Sequence, residues 1–452
     1  METVQKRLLK QRLVILLLLC ITFYVFLTFV GSDDHSVLYL KYGHSGRRRG
    51  QEMDLSIHLK DTNDPLSPPK PMARFQLHKE FMELKASNCD LSKHIKDSTK
   101  AMVDLKNFQN EVSIVNRTCD CYTYFEQFPV KALQDVDYDP DFPMAFSIIV
   151  HKEIAIFELF LSLIYRPHNF YCIYVDKKVP KEVFDAVQSL IACYQNMFGK
   201  TSIFILENRN PIFWGHYSIL EADLSCLERL DQMDNDWKYF MNTAGTELPN
   251  VAYGTIEATA KQANGQNVMD RHPIEKKFLP RVDRYHIFRR FGPNKYDLAW
   301  HATRYALPKP PFGIKIFKGL KNVLISRRFA TFALYHPIAQ DFRDWIEDVG
   351  IPDEIFFHSL ESMGQIEQDN ITTFLDWNMA SLKYGMTRYT EWENSKTVCY
   401  GKIIRWLCNF GVADLPRVWK AKALMINKFN LNVDPLAPLC QWRHVWDLNA
   451  DL

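Results

Sequence analysis

The feature that most constrains the fold is a regular alternation of apolar runs and amphipathic segments between positions 144 and 242. Four runs rich in β-branched and aromatic residues are separated by three segments with helical spacing, which predicts the order βαβαβαβ. The predicted strands are 144–150, 170–175, 202–206 and 237–242, and the predicted helices are 153–165, 181–194 and 217–230. The strands lack an apolar–polar alternation, so we expect a Rossmann-type, mostly parallel α/β sheet with helices on both faces.

In such a sheet, ligands bind beyond the carboxyl ends of the strands. Those ends carry His151, then Asp176, Lys177 and Lys178, and finally 243–247. No GxGxxG or GxxxxGK[ST] loop follows the first strand, so the sequence disfavours a dinucleotide or P-loop enzyme. A sugar-nucleotide site is the alternative: Asp176 would accept from a ribose hydroxyl, and Lys177 or Lys178 would approach phosphate. Asp176 could equally cap the next helix.

A second feature is the uncharged apolar run 13–30, which is long enough to cross a bilayer core of ~30 Å as a helix. A cleaved signal peptide would have a shorter apolar region and a small-residue cleavage site. Basic residues precede the run and Asp33 and Asp34 follow it, so the positive-inside rule predicts that the C-terminal bulk is lumenal. We therefore predict a cytoplasmic tail 1–12, a transmembrane signal-anchor 13–31, a lumenal stem 32–140 and a catalytic domain 141–452.

The cysteines and glycosylation sequons agree with a lumenal location. Nine of the ten cysteines lie outside the apolar run, so an oxidising compartment would leave one unpaired. Cys119 and Cys121 lack a second pair with zinc spacing, which favours disulfides over a metal site. Asn116 and Asn370 stand in N-x-T acceptor sequences. The net charge of +2 and a single short basic cluster at 47–49 give no reason to expect a nucleic-acid partner.

The chain after the predicted sheet is less regular. Positions 264–313 are basic and aromatic without a clear period, and we interpret them as a long excursion that shapes an acceptor site, with Arg281, Arg284 and Tyr285 as candidates. A strand is predicted at 318–326, and a helix interrupted near Pro337 at 328–349.

The segment IEDVGIPDEIFFHSL, 346–360, follows. Pro352 reads as the first residue of a helix and Glu354 falls in its first turn. Such an acid commonly complements the helix dipole, and a catalytic carboxylate is the other interpretation.

Six segments together resemble a known family: FSIIVHKE, RPHNFYCIYVDKK, WGHYSILEADLSCLERL, DWKYFMNTAGTELP, PDEIFF and INKF. In this order, over roughly 142–446, they are similar to the lumenal β-1,6-N-acetylglucosaminyltransferases that build mucin core 2 and I-antigen branches. That family also includes peptide xylosyltransferases. The resemblance implies a type II Golgi membrane enzyme with a GT-A-like fold that inverts configuration without a metal ion. It would use a UDP-sugar donor and an O-glycan or glycoprotein acceptor, and a homodimer is one expected assembly.

The resemblance also implies roles for individual residues. Glu354 matches the catalytic base, and Arg405 and Lys428 match the cations that hold the diphosphate. The nucleotide-contacting positions would be Ile149, Val150, His151, Asp176, Lys177, Lys178 and Trp214, and candidates for acceptor binding are Arg281, Arg284 and Trp392. The implied disulfides are Cys89–Cys440, Cys172–Cys226, Cys399–Cys408, and Cys193 with Cys119 or Cys121.

These roles are chemically consistent. An inverting transfer needs one carboxylate to take the proton of the attacking hydroxyl, and the departing UDP needs a metal ion or fixed cations. The Asp-x-Asp motif at 135–137 precedes the first strand, and only Glu247 follows the fourth, so the sequence predicts no metal site.

One departure concerns the donor. Leu320 stands where the family carries serine, which leaves UDP-glucose and UDP-xylose open beside UDP-GlcNAc. A noncatalytic lectin-like protein on the same fold is the alternative from another functional class.

Overall fold

The computed structural model describes residues 110–128, 130, 138–199, 202–233, 236–365 and 386–448. All of them lie within one compact unit, Lys70–Leu452. The predicted tail, the signal-anchor, most of the stem, Cys89 and Asn370 lie outside the described residues. Within the described ranges no helix is both long and apolar enough to cross a membrane.

Two short helices precede the sheet, and strands and helices then alternate. The first elements are α1 Glu111–Arg117, α2 Cys121–Gln127, β1 Met144–Val150, α3 Ile154–Ile164, β2 Phe170–Val175, α4 Lys181–Phe198, β3 Ile203–Ile205, α5 Ser218–Asp231, β4 Tyr239–Ala244, β5 Leu248–Pro249 and α6 Tyr253–Ala263. The remaining elements are β6 His272–Pro273, β7 Arg284–Arg290, β8 Leu298–Ala306, β9 Phe317–Lys318, β10 Leu324–Ser326, α7 Arg327–Tyr335, α8 Pro337–Ile346, α9 Phe356–Leu360, β11 Arg388–Thr390, β12 Lys402–Ile404, β13 Leu407–Asn409, α10 Leu415–Val418, β14 Met425–Asn427 and α11 Ala437–Leu448.

The central sheet has the strand order β10-β4-β1-β2-β3. Strand β1 is parallel to both β2 and β4, with Val150 opposite Val175 and Ile149 opposite Ala244. Strand β3 extends the parallel part, whereas β10 is an antiparallel edge. The βαβαβαβ prediction is confirmed, because all four strands and all three helices form within a few residues of the predicted positions.

The sheet is buried on both faces. Successive residues of β1 contribute to two different hydrophobic clusters: Phe146 and Ile148 to one, Ala145 and Ile149 to the other. The first cluster also contains residues of α3, α4 and α11, and the second contains residues of α5, α7, α8 and α9. Because both faces are covered, every residue of β1 is buried, which explains why the strands carry no alternating pattern.

Three predictions after the sheet need correction. The predicted strand 318–326 is split: β9 pairs with β6, and only β10 joins the central sheet. The excursion predicted to be irregular contains an antiparallel hairpin, β7–β8, which period-based reasoning missed because a β-bulge between Arg284 and His286 interrupts its alternation. The predicted helix 328–349 is two helices separated at His336, because Pro337 cannot continue the first one.

Three disulfides are described, and two of them join residues more than fifty positions apart in the chain. They are Cys121–Cys193, Cys172–Cys226 and Cys399–Cys408, with Cα–Cα distances of 4.9, 5.5 and 5.8 Å. Cys121 is therefore the partner of Cys193, and Cys119 is an exposed free thiol. Cys440 is also disulfide-bonded, and its predicted partner Cys89 lies outside the described residues.

Candidate functional site

The carboxylate of Glu354 lies between two cations, Arg281 and Lys318, of which Lys318 lines a cleft. Its Oε2 atom accepts from Nη1 of Arg281 at 2.8 Å and from Nζ of Lys318 at 3.0 Å, and its side chain is 17% exposed. Atom Oε1 receives no hydrogen bond from the described part of the chain. One carboxylate oxygen is therefore held by fixed charges, while the other remains available to a ligand.

Local backbone geometry explains how Glu354 is presented. A helical turn begins at Pro352 and contains Glu354, as predicted, but it is a single 3-10 turn, Pro352–Glu354, and α9 begins only after Ile355. Ile351 before the turn has a φ of 56°, in the left-handed region that β-branched residues rarely adopt. The Glu354 carbonyl accepts from the Gly319 amide at 2.9 Å, so the turn is tied to the residue after Lys318.

Arg281 and Lys318 share a further neighbour. Both cations lie over the ring of Phe278, at 4.5 and 5.0 Å from its centroid. Sequence reasoning assigned Arg281 to the acceptor and read Lys318 only as the start of a strand. The structure brings both to the same carboxylate oxygen, a contact between distant segments for which the sequence carried no signal.

Beside Lys318 the surface opens into a cleft of about 700 Å³. Its walls come from two parts of the chain. One includes Phe278, Lys318 and Gly319, and the other includes Thr390, Glu391 and Trp392. Three buried oxygens of its lining have no hydrogen-bond partner among the described residues: Oδ2 of Asp270, Oγ1 of Thr390 and Oε1 of Glu391. Buried polar atoms normally find partners, so these three oxygens are exceptions that border the cleft.

A group of cations surrounds the end of β1. His151 is exposed on its outer side, yet desolvation by the surrounding protein, followed by the charges of Lys152, Lys428, Lys178 and Arg405, lowers its pKa to about 4. The pKa of Lys428 is also lowered, first by burial and then by Lys152 and Arg405. Lys152 and Lys178 each have a carboxylate neighbour at 3.6 Å, Glu153 and Asp176, whereas no ion pair within the described residues engages Arg405 or Lys428. A cluster with more positive than paired negative charge is suited to bind an anion such as a diphosphate.

Arg405 occupies a tight hairpin turn. Strands β12 and β13 pair in antiparallel register, and the two residues between them, Arg405 and Trp406, have φ values of 52° and 68°. Two left-handed residues are typical of a type I′ turn, which usually contains Asn and Gly. The nearby disulfide Cys399–Cys408 fixes the approach to this turn. A large charged residue in a strained position indicates a functional constraint there.

Asp414 supports the same hairpin. Its carboxylate accepts from the amides of Tyr400, Gly401 and Gly411 at 2.9 to 3.0 Å. Asp414 also forms, with Cys399 and Cys408, the one group of described residues whose spacing could suit a metal ion. The two sulfur atoms are bonded to each other, so this group does not offer thiolate ligands.

Asp176 orders the loop after β2. Its Oδ1 atom accepts from the amides of Lys178 at 3.0 Å and Ile212 at 3.2 Å, and its Oδ2 atom lies 3.6 Å from Nζ of Lys178. The interpretation of Asp176 as a helix cap is wrong, because α4 follows Pro180 without a side-chain cap. Its role toward a ribose hydroxyl stays a prediction.

The other predicted nucleotide contacts differ in accessibility. The side chains of Ile149 and Val150 are buried, and their carbonyls accept from the amides of Gly245 and Asp176, so the side chains face the core. Lys177 and Trp214 are exposed. The carbonyl of Gly215, next to Trp214, accepts from the Ile351 amide at 2.7 Å, which joins this loop to the turn of Glu354.

Two predicted acceptor contacts are separated by the fold. Trp392 is 42% exposed, lines the cleft and forms an isolated bridge with Leu407, two residues after Arg405. Arg284 is exposed, lies near Asp283 at 3.5 Å, and does not line the cleft. Trp392 therefore connects the cleft beside Lys318 to the hairpin of Arg405.

The carboxylate that follows β4 is already engaged. Glu247 accepts from Nη2 of the fully buried Arg388 at 2.9 Å, and from the Ala244 amide at 3.1 Å. Arg388 also donates to the carbonyl of Asn242 at 2.7 Å. Glu247 thus stabilises the end of the sheet through a buried, hydrogen-bonded ion pair, the kind whose disruption is costly.

Comparison with known proteins identifies the family of this chain. The family described as Core-2/I-Branching enzyme matches residues 144–418. A β-1,3-galactosyl-O-glycosyl-glycoprotein β-1,6-N-acetylglucosaminyltransferase 4 of Danio rerio is 30% identical over 72% of this chain and 75% of its own length. A human N-acetyllactosaminide β-1,6-N-acetylglucosaminyl-transferase is 27% identical over 81% of this chain and 88% of its own. The chain therefore belongs to the Core-2/I-branching enzyme family and is a glycosyltransferase.

Proposed function

We propose that this enzyme transfers N-acetylglucosamine from UDP-GlcNAc to a hydroxyl of an O-glycan, with inversion and in β-1,6 linkage. The observation that carries the proposal is the carboxylate of Glu354, of which only Oε2 is engaged and whose partner Lys318 lines the cleft. The relatives named above are N-acetylglucosaminyltransferases that form this linkage, which supports the same donor here. The alternating sheet, with its ligand edge at the carboxyl ends of the strands, supports a GT-A-like arrangement.

In the proposed reaction the acceptor hydroxyl lies in the cleft. Its oxygen attacks the anomeric carbon of the donor, and Oε1 of Glu354 takes its proton as the new C–O bond forms. The bond from the anomeric carbon to the β-phosphate oxygen breaks, and UDP leaves with the electron pair. Because one displacement occurs, the configuration inverts and no covalent enzyme intermediate is needed.

The leaving diphosphate would be stabilised by Arg405 and Lys428, with Lys152 and Lys178 nearby. Fixed cations of this kind supply the stabilisation that a divalent metal provides in other enzymes. The engagement of Glu247 by Arg388 supports a metal-independent reaction, since the carboxylate after β4 already has a partner. Arg offers a planar fork to phosphate, whereas Lys acts as a point charge.

We also propose the cellular setting. The apolar run 13–30 with preceding basic residues supports a single-pass type II membrane protein of the Golgi whose stem and catalytic domain are lumenal. The described disulfides are consistent with an oxidising compartment. Asn116 is exposed on α1, so its side chain is accessible to glycosylation.

The decisive experiment compares the full-length chain, purified in detergent, with its Glu354→Gln variant on a panel of UDP-sugars. We expect transfer from UDP-GlcNAc with the wild type, and a decrease in kcat of roughly 10² to 10⁴ in the variant, because the general base is lost. UDP should bind both proteins with the same Kd, measured calorimetrically.

Each alternative gives a different result in this panel. Transfer only from UDP-glucose or UDP-xylose would reassign the donor. Full activity of Glu354→Gln would remove Glu354 from the mechanism. Binding of glycans without transfer from any UDP-sugar would favour a lectin-like protein.

A further inference from the structure

The positive charge of this chain is concentrated in one segment outside the proposed donor site. Positions 271–321 contain thirteen Lys and Arg residues and only three Asp and Glu residues, a net charge of +10, whereas the whole chain has +2. The remainder of the chain is therefore net acidic. Such an asymmetry indicates an electrostatic partner for the segment more than a requirement of the fold.

Within this segment, ion pairs neutralise several cations outside the β7–β8 hairpin, but most cations of the hairpin have no acidic partner in the described part of the chain. Arg281 and Lys318 pair with Glu354, and Lys321 pairs with Asp223. By contrast, no carboxylate among the described residues lies within ion-pair distance of four hairpin cations: Arg289, Arg290, Lys295 and Arg304. The hairpin also contains an acidic residue, Asp297. Its carboxylate accepts from the Asn294 amide at 2.8 Å and so stabilises the turn.

The two faces of the hairpin differ sharply. On the inner face, Phe288 and Trp300 pack against His216, with ring centroids 4.6 Å apart in both contacts. Side chains alternate along a strand, so Ile287 and Arg289 point to the opposite face. That face and the tip expose large apolar side chains among the cations: Ile287 at 47%, Phe291 at 72% and Tyr305 at 61%.

The hairpin is fixed to the segment that carries Glu354. The His286 amide donates to the carbonyl of Asp348 at 3.2 Å, and the Trp300 indole donates to the carbonyl of Val349 at 3.1 Å. The Gly350 amide donates to the carbonyl of Arg281 at 2.8 Å. Its exposed surface is therefore held in a constant position relative to the proposed base, as a surface that orients an acceptor would need to be.

We propose that the exposed side of the β7–β8 hairpin binds an acidic sugar of the acceptor glycoprotein, one that carries a sulfate ester or a carboxylate. Arginine forks match the planar oxygens of these groups, and exposed aromatic rings stack on the apolar faces of pyranose rings. This inference rests on the proposed function, because it assigns a surface to the acceptor of that reaction. It adds a substrate class: acidic O-glycans are preferred to neutral ones.

The test measures binding without any UDP-sugar, so loss of transfer would bear on the proposed function alone. Two fluorescent glycopeptides are compared. Both carry the same galactosyl-N-acetylgalactosamine disaccharide, which is neutral in one and sulfated on galactose in the other, and the Kd of each for the full-length chain in detergent is measured. We expect the sulfated peptide to bind about fivefold more tightly, since each exposed charge contact contributes at most about 1 kcal/mol. Added salt should reduce this advantage.

The variant Arg289→Gln/Lys295→Gln should reduce the advantage to less than about twofold, while the neutral peptide keeps its Kd. The matched control is Lys420→Gln/Lys422→Gln, which removes two exposed cations outside the hairpin and should behave as wild type. Equal affinity for both peptides, or an advantage that survives in the hairpin variant, would overturn the proposal. An equal gain from a neutral-sugar peptide rich in aspartate would also overturn it, because the partner would then be polypeptide.

Discussion

At the scale of single residues, the environment of Glu354 is the most informative result. A carboxylate that must take a proton needs a fixed orientation and one free oxygen, and Arg281 and Lys318 both bind the other oxygen. Charge-assisted hydrogen bonds of this kind are short and directional. We therefore interpret Lys318 as a residue that positions Glu354.

Replacement of Lys318 by Met should lower kcat about tenfold, the cost of one charge-assisted hydrogen bond, and leave the KM for the donor unchanged. Lys318→Arg should restore part of the rate, because it returns a cation to Oε2. Steady-state kinetics with the donor varied at saturating acceptor provide the measurement. A rise in the donor KM without loss of kcat would mean that Lys318 serves donor binding instead.

Asp353, next to Glu354, makes a prediction about pH. Burial, followed by the negative charge of Glu354, raises the pKa of Asp353 from 3.8 to about 7. Between these values the unfolded chain ionises this group while the folded chain does not, so Asp353 reduces the free energy of unfolding as pH rises from about 4 to 7. The stability contributed by the neutral group is fully present below its unfolded pKa.

The variant Asp353→Asn cannot ionise, so relative to wild type it should gain about 2 kcal/mol of unfolding free energy between pH 5 and pH 7.5. Denaturant unfolding at both pH values gives this difference of differences. Asp341→Asn, at an exposed position, is the matched control. If the two variants show the same pH dependence, the burial of Asp353 has no thermodynamic consequence.

At the scale of elements, the β12–β13 hairpin determines where Arg405 lies. The disulfide Cys399–Cys408 and the three amides bound by Asp414 restrain the hairpin from outside its turn. The strained φ of Arg405 then directs a charged side chain from a turn that a small residue would form more easily. The element therefore restrains the position of the Arg405 side chain.

The variant Arg405→Asn removes the positive charge without disturbing the turn, since Asn tolerates a positive φ. We expect the Kd for UDP to increase about tenfold, because a charged hydrogen bond to phosphate is lost, while the melting temperature stays constant or rises. Lys402→Asn removes a cation from the same hairpin and should leave the Kd unchanged. An equal loss in both variants would point to a general effect of charge.

At the scale of the whole molecule, the fold links regions that are far apart in the chain. The cations near His151 lie at the end of β1, while Glu354 belongs to a turn more than two hundred residues later in the chain. The loop of Gly215 and the bridge between Trp392 and Leu407 connect these regions. The regions proposed for donor and acceptor therefore belong to one compact unit of the chain.

Removal of divalent metal tests this arrangement as a unit. If cations alone stabilise the leaving diphosphate, kcat in excess EDTA should remain within about twofold of its value with manganese. The Arg405→Asn variant assayed in parallel shows whether added manganese can replace the lost cation. A strict requirement for manganese in the wild type would contradict the roles proposed for Arg405 and Lys428.

The sequence by itself determined the βαβαβαβ order and the parallel sheet, because buried strands and the helices that cover them have characteristic hydrophobic periods. It determined the family through the resemblance of six segments. It also determined two of the disulfides, through the resemblance of the segments that carry them. It could not determine that Cys121 and not Cys119 pairs with Cys193. The two cysteines are only two positions apart, and the direction in which each side chain points is decided by the folded backbone.

Only the tertiary structure decided the partners of Glu354 and the form of the basic excursion. Lys318 and Arg281 reach Glu354 across 36 and 73 positions of sequence, and no local pattern records such contacts. The β7–β8 hairpin is ordered by the packing of Phe288 and Trp300 on His216, an interaction that overrides a weak and interrupted strand pattern. Local periodicity therefore specified the elements, whereas long-range packing placed the charges on which the proposed chemistry depends.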